Sequence, residues 1–203
     1  MKLYDSKLAP NARRVRIFLA EKGMSVPMVD MDLARLDQKT TAFSVLNPFQ
    51  TVPALELDDG EVIAESVAIC RYFEEMHPDP SLFGRTAVEK AQVDMWVRRV
   101  EFVLMQPVGN YWRHAHPRTA ALIHQYKDFG ESNREAYANA QRWLDGELAD
   151  GRPFIAGGEI SMADICALST VDFAHWIGLD IDADRPHLSA WHERVSARPS
   201  ASA

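Results

Sequence analysis

Apolar and polar positions follow two different periods along this chain, and the change of period divides it. Lys2-Leu3-Tyr4-Asp5 reads as a short strand and Ser6 to Pro10 as a turn. Asn11 reads as the N-cap of a helix through ARRVRIFLAEKG, whose apolar stripe is Val15, Phe18 and Leu19 and which Gly23 closes. Val26 to Leu33 has strand composition, weakened by Pro27 and two aspartates, and residues 34 to 46 form a loop carrying a short helix. In NPFQTVPALELDDGEVIAES, residues 47 to 66, Ala54-Leu55-Glu56-Leu57 alternates apolar with acidic positions. Asp58-Asp59-Gly60 then supplies a turn, and Glu61 to Ala64 returns antiparallel. A helix follows from about Ser66, with Ile69, Cys70, Phe73 and Met76 on one stripe and Pro78 ending the run. Pro53 is out of place at the mouth of this hairpin, because a proline cannot donate to a strand ladder.

From about residue 77 the pattern becomes helical throughout. HPDPSLFGR is rich in turn formers and reads as a linker. TAVEKAQVDMWVRRVEFVLMQP predicts one long helix that Pro107 ends, and NREAYANAQRWLDGELADG a second with Tyr137, Leu144 and Leu148 inward. Ser161 and Asp164 have capping-box spacing, with Asp in the usual Glu place, before the very apolar ICALSTVDFAHWIG; PHLSAWHERVSARP is the last helix. A strand-helix-strand unit gives parallel neighbours and the later hairpin must be antiparallel, so the sheet is small and mixed. The expected fold is therefore an α/β thioredoxin-like domain over residues 1–77, a linker over 78–85 and an all-α domain over 86–203.

Composition narrows the partners. With 29 acidic residues against 22 basic ones, the chain lacks the electrostatic footprint for nucleic acid or an anionic membrane surface, leaving a small molecule or a protein. No window approaches the ~20 consecutive apolar residues of a membrane span, and no leader pattern opens the sequence, so a cytoplasmic location is expected. Cys70 and Cys166 fall within apolar helical patterns without CxxC spacing, which predicts buried reduced thiols. His114 and His116 flank Ala115 with no third ligand in the pattern, so no metal site is expected.

In order and spacing, SKLAPNARRVRIFLAEKG, NPFQTVPALEL, Ala64-Glu65-Ser66 and FIAGGEISMADI resemble the cytosolic glutathione S-transferase family over essentially the whole chain. The resemblance implies that Val52-Pro53 is a cis peptide whose Val52 backbone pairs with the cysteinyl part of glutathione like a short added strand. It implies that Ser66, at a helix N-terminus, holds the γ-glutamyl carboxylate, and that Glu65 pairs with the ligand's ammonium. Gln50 and Lys39 are the candidates for the glycyl carboxylate. Glutathione enters as co-substrate, with no further cofactor and no metal, and a homodimer is expected.

Glutathione attacks as a thiolate, and in the family a Tyr, Ser or Cys in or after the first strand donates to it. This sequence departs there: the position falls near Ala9, which has no hydroxyl. Asn11, through its amide N–H₂, and Ser6 are the nearby donors, and Tyr4 belongs to sheet packing. Tyr111 and Trp112, placed after the break expected at Pro107, are the candidate walls for a hydrophobic electrophile, while Phe102 and Met105 read as helical core. Arg13, Arg14 and Arg16 read as a solvated face or a subunit contact. The expected function is attack of an activated glutathione thiol on small hydrophobic electrophiles, with glutathione-dependent peroxide reduction beside it. The alternative, kept open by Ala9, is a non-catalytic module that binds glutathione or a hydrophobic ligand, or serves as a protein adaptor.

Overall fold

The computed structural model describes the whole chain, Met1–Ala203, in two compact units: Met1–Phe83 with Pro199–Ala203, and Gly84–Arg198. The first unit contains β1 (Lys2–Asp5), α1 (Pro10–Glu21), β2 (Met28–Asp30), α2 (Thr41–Leu46), β3 (Ala54–Glu56), β4 (Val62–Ala64) and α3 (Ser66–Met76). Its sheet runs β2-β1-β3-β4. β1 lies parallel to β2, with Leu3 opposite Met28, because α1 carries the chain back across the sheet. It lies antiparallel to β3, with Leu3 opposite Leu55, and the β3-β4 hairpin sets Ala54 against Ala64. Leu3 and Leu55 are fully buried, as are Val15 and Phe18 of α1 and Ile69 of α3.

Two local expectations change. Asn11 does not cap α1: Ala9 is the extended residue before the helix, Pro10 opens it, and Asn11 lies inside its first turn. Proline is favoured there because its fixed φ suits the helix and its missing N–H would have had no intrahelical partner. β2 shrinks to three residues, since Pro27 cannot donate and contributes only its carbonyl, which accepts from Leu3 N at 2.8 Å.

The stretch after α3 is tied down rather than loose. Glu74 is buried and its carboxylate accepts from Ser81 Oγ at 3.0 Å, Leu82 N at 3.1 Å and Phe83 N at 3.3 Å. The fully buried side chain of Lys22, at the end of α1, pairs with Glu74 at 2.5 Å and donates to the carbonyls of His77 and Pro80 at 2.7 and 2.6 Å. The last residues also belong to this unit: Ser200 donates to the Glu21 carboxylate, and Arg13 Nη2 donates to Ala201 O at 2.8 Å.

The second unit is helical: α4 (Ala87–Arg99), a π-helical stretch (Val100–Met105), α5 (Gln106–His114), α6 (Lys127–Leu148), α7 (Met162–Trp176) and α8 (Pro186–Ser196). The break expected at Pro107 does not occur. The turns before it widen to the π form, with Gln106 N donating to Glu101 O, and a wider turn removes the clash between a proline ring and the carbonyl four residues back. Phe102 leaves the core on this stretch and is 62 % exposed, contrary to its helical-core reading. α5 and α6 approach closely at Gly130, where an added Cβ would lie 2.5 Å from the His114 carbonyl carbon. In α7, completely buried Asp164 accepts from Ser161 N and Oγ, Trp191 Nε1 and Ile155 N, all at 2.8 to 2.9 Å. Burial pushes this carboxyl up, against the pull of those donors. Cys70 and Cys166 are buried thiols, as expected. No helix is long and apolar enough to cross a membrane.

Candidate functional site

The loop before β3 is built by Asn47, which is 2 % exposed. Its amide donates to Thr51 O at 2.9 Å, its carbonyl oxygen accepts from Phe49 N at 3.1 Å, and its backbone oxygen accepts from Gln50 N at 2.9 Å. These bonds hold Gln50 at φ +55°, in the left-handed region that only glycine adopts without cost. The Val52–Pro53 peptide is cis. Ladder pairing starts at Ala54, so the Val52 backbone lies outside the sheet's paired positions.

Glu65 precedes α3 at φ +69° and is exposed, and Ser66, 5 % exposed, is the first helical residue. A third non-glycine residue in the left-handed region, Leu36 at φ 62°, opens the turn Asp37–Lys39, which leaves Lys39 exposed at its end. The three left-handed residues therefore mark the loops that carry Lys39, Gln50 and Glu65 with Ser66. Backbone strain of this kind costs of order 1–3 kcal/mol per residue and concentrates at functional sites.

Val52, Ala12, Met31, Phe43 and Ala54 form one buried apolar cluster, against which Ala9 packs. At the start of α1 the chain thus presents a methyl group beside the Val52 loop. Ser6 is 6 % exposed, and its carbonyl accepts from Ala9 N at 3.0 Å and from Arg16 Nη1 at 3.3 Å. Asn11 is half-buried, and its Oδ1 is buried with no hydrogen-bond partner. Such an orphan amide end invites a partner from outside the protein, and turning the amide end for end presents N–H₂ instead. Tyr4 is committed elsewhere, donating to Glu56 at 2.8 Å, with burial pushing its phenol up.

The three arginines of α1, read as a solvated face or a subunit contact, are not a solvated face, since each bonds within the chain. Arg16 reaches back over the first loop to Asp5 at 2.6 Å and to the carbonyls of Ser6 and Lys7. Arg13 reaches Ala201. Arg14 is 2 % exposed, with Nη1 3.4 Å from Ser66 Oγ. Apolar periodicity does not reveal these roles, because a long arginine stem carries its head far from its own helical position.

In the second unit Tyr111 and Trp112 lie within α5 rather than after a break. Tyr111 is 5 % exposed, its hydroxyl accepts from Arg134, and that guanidinium sits 4.3 Å from its ring centroid. Trp112 is half-buried and packs against His116 at 4.8 Å, Phe173 at 5.4 Å and Trp176 at 5.6 Å. Desolvation first, and the charge of Arg118 second, push the His116 imidazole down. No group of three or more metal-ligating side chains comes together.

A small mixed sheet with flanking helices, followed by an all-helical unit, defines a thioredoxin-like domain joined to a helical domain. The chain matches the family descriptions "Glutathione S-transferase, N-terminal domain" over residues 9–76 and "Glutathione S-transferase, C-terminal domain" over residues 113–199. It is 37% identical to glutathione S-transferase 2 of Saccharomyces cerevisiae, with 98% of this chain and 87% of that protein covered. The crystal structure of Gtt2 from Saccharomyces cerevisiae superposes with a TM-score of 0.92 at 36% identity, covering 100% of this chain and 99% of that one. A glutathione S-transferase domain-containing protein from Marinobacter aquaeolei superposes at 0.91 with 40% identity, covering 98% and 99%. The chain belongs to the glutathione S-transferase family.

Proposed function

We propose that this glutathione S-transferase holds glutathione along the loops of its first unit and activates the thiol for attack on small hydrophobic electrophiles. The observation that carries the reading is the placement of its non-glycine left-handed residues, Leu36, Gln50 and Glu65, on the three loops that bear the candidate contacts. The Val52 backbone pairs with the cysteinyl unit, Ser66 and the first N–H groups of α3 hold the γ-glutamyl carboxylate, and Glu65 takes the ammonium. Gln50 and Lys39 serve the glycyl carboxylate. No metal or further cofactor takes part in this scheme.

With Ala9 at the start of α1, activation falls to the Asn11 amide or the Ser6 hydroxyl. Lowering the thiol from about 8.5 by about two units requires ~2.7 kcal/mol in favour of the thiolate, within the range of one charge-assisted hydrogen bond aided by a helix N-terminus. Trp112, with Phe173 and Trp176 behind it, offers the aromatic surface for the electrophile. The family's names, the absence of a membrane-crossing helix and the exposed apolar residues Val88 and Met95 of α4 support an enzyme that works in the cytoplasm as a homodimer and clears reactive electrophiles.

Calorimetric glutathione binding, read with the ultraviolet thiolate signal across pH, tests this in the parent, Asn11→Ala, Ser6→Ala and Ser66→Ala. The parent is expected to bind with a depressed thiol pKa, one first-loop substitution to return that pKa towards its free value, and Ser66→Ala to weaken binding. Binding with an unshifted thiol, which Ala9 makes the competing outcome, would instead establish a non-catalytic binding module. Absence of binding would overturn the site.

A further inference from the structure

We infer that Arg14 is a positioning residue for the γ-glutamyl carboxylate, acting through Ser66 from inside the first unit. This rests on the glutathione site proposed above and adds to it a residue that lies behind the ligand. Arg14 sits in the second turn of α1, is 2 % exposed, and directs Nη1 at Ser66 Oγ across 3.4 Å. Ser66 is itself 5 % exposed and opens α3.

The directionality of this contact gives it a function. A guanidinium only donates, so Arg14 occupies a lone pair of the Ser66 oxygen and leaves the hydroxyl proton for another acceptor. The contact with Arg14 is made to the Ser66 oxygen and so does not consume the hydroxyl proton. The hydroxyl is therefore left able to donate to a carboxylate that meets the free N–H groups of α3. The fixed charge adds to the attraction, because a guanidinium stays protonated at every working pH and a buried charge is screened little by salt. Arginine's five donors let it keep its other contacts while serving Ser66, which a lysine's compact ammonium does less well. At 3.4 Å the contact is long for an N–H···O bond, leaving scope for it to tighten once an anion polarises the serine.

A ligand pair isolates this role from simple packing of α1 against α3. One ligand is glutathione; the other is 4-aminobutanoyl-cysteinylglycine, which lacks only the α-carboxylate of the γ-glutamyl unit. The parent is expected to prefer glutathione, and Arg14→Gln to lose about 10- to 100-fold in glutathione affinity with little change for the analogue, so that the preference collapses. Arg14→Lys, the milder change and the arm that stands if Arg14→Gln fails to fold, is expected to lose part of the preference. In a Ser66→Ala background the Arg14→Lys effect should largely vanish. Equal weakening of both ligands, or a lower melting temperature with the preference intact, would make Arg14 a packing residue and overturn the inference. A parent that binds both ligands equally would overturn it while leaving glutathione binding intact. A parent that binds neither would remove the underlying site as well.

Discussion

Asp164 shows how one side chain can do more than its sequence spacing suggests. The Ser161–Asp164 spacing predicts a helix cap, whose loss costs about 1 kcal/mol. The structure adds Ile155 N and Trp191 Nε1 to the same carboxylate, so its removal orphans buried donors from the preceding loop and from α8 as well as the cap. Asp164→Ala is accordingly expected to cost about 3 kcal/mol or more. Paired thermal melts and glutathione titrations should show a large fall in melting temperature and a small change in affinity; the reverse would overturn the structural assignment of Asp164. At this scale the sequence revealed residue types better than residue roles. Ser66 and Asp164 stood at legible spacings, whereas Asn47 drew no assignment and Arg14 read as part of a solvated face or a subunit contact. Their work depends on which distant groups the fold brings to them, and short-range pattern does not encode that.

At the level of elements, strand alternation and helical stripes placed the sheet, the hairpin and the start of α3 correctly. The misreadings came where a local rule met a tertiary accommodation. Pro107 breaks an ideal α-helix, but a π turn absorbs its ring and keeps α5 continuous with what precedes it. In the stretch after α3, read as a linker, backbone N–H groups are gathered by Glu74, which is in turn paired with Lys22. A buried ion pair is costly to break from one side, because the surviving charge is left without compensation. Lys22→Met is expected to destabilise the protein by about 3–5 kcal/mol in chemical denaturation, and the further change Glu74→Gln to recover part of that loss. If Lys22→Met alone leaves the denaturation midpoint unchanged, the pair carries no structural weight.

For the molecule as a whole, the two-part architecture was legible because the change from mixed to purely helical periodicity is a property of long stretches, where errors at single residues average out. Quaternary structure is not encoded at that resolution. The exposed apolar residues of α4, Val88 at 67 % and Met95 at 39 %, are the surface on which the proposed homodimer is tested. Light scattering at working concentration should give twice the 22.9 kDa chain mass, with Met95→Glu shifting it towards the single-chain value. A monomeric parent would remove the homodimer.

Residues 199–203 carry a consequence for the order in which the first unit closes. Ser200 bonds to Glu21 across 179 positions and Ala201 to Arg13 across 188, so α1 takes some of its contacts from residues that lie beyond the whole helical unit along the chain. The sheet of the first unit pairs within residues 2–64, but these last contacts close a loop of almost two hundred residues, whose entropic cost grows only slowly with its length.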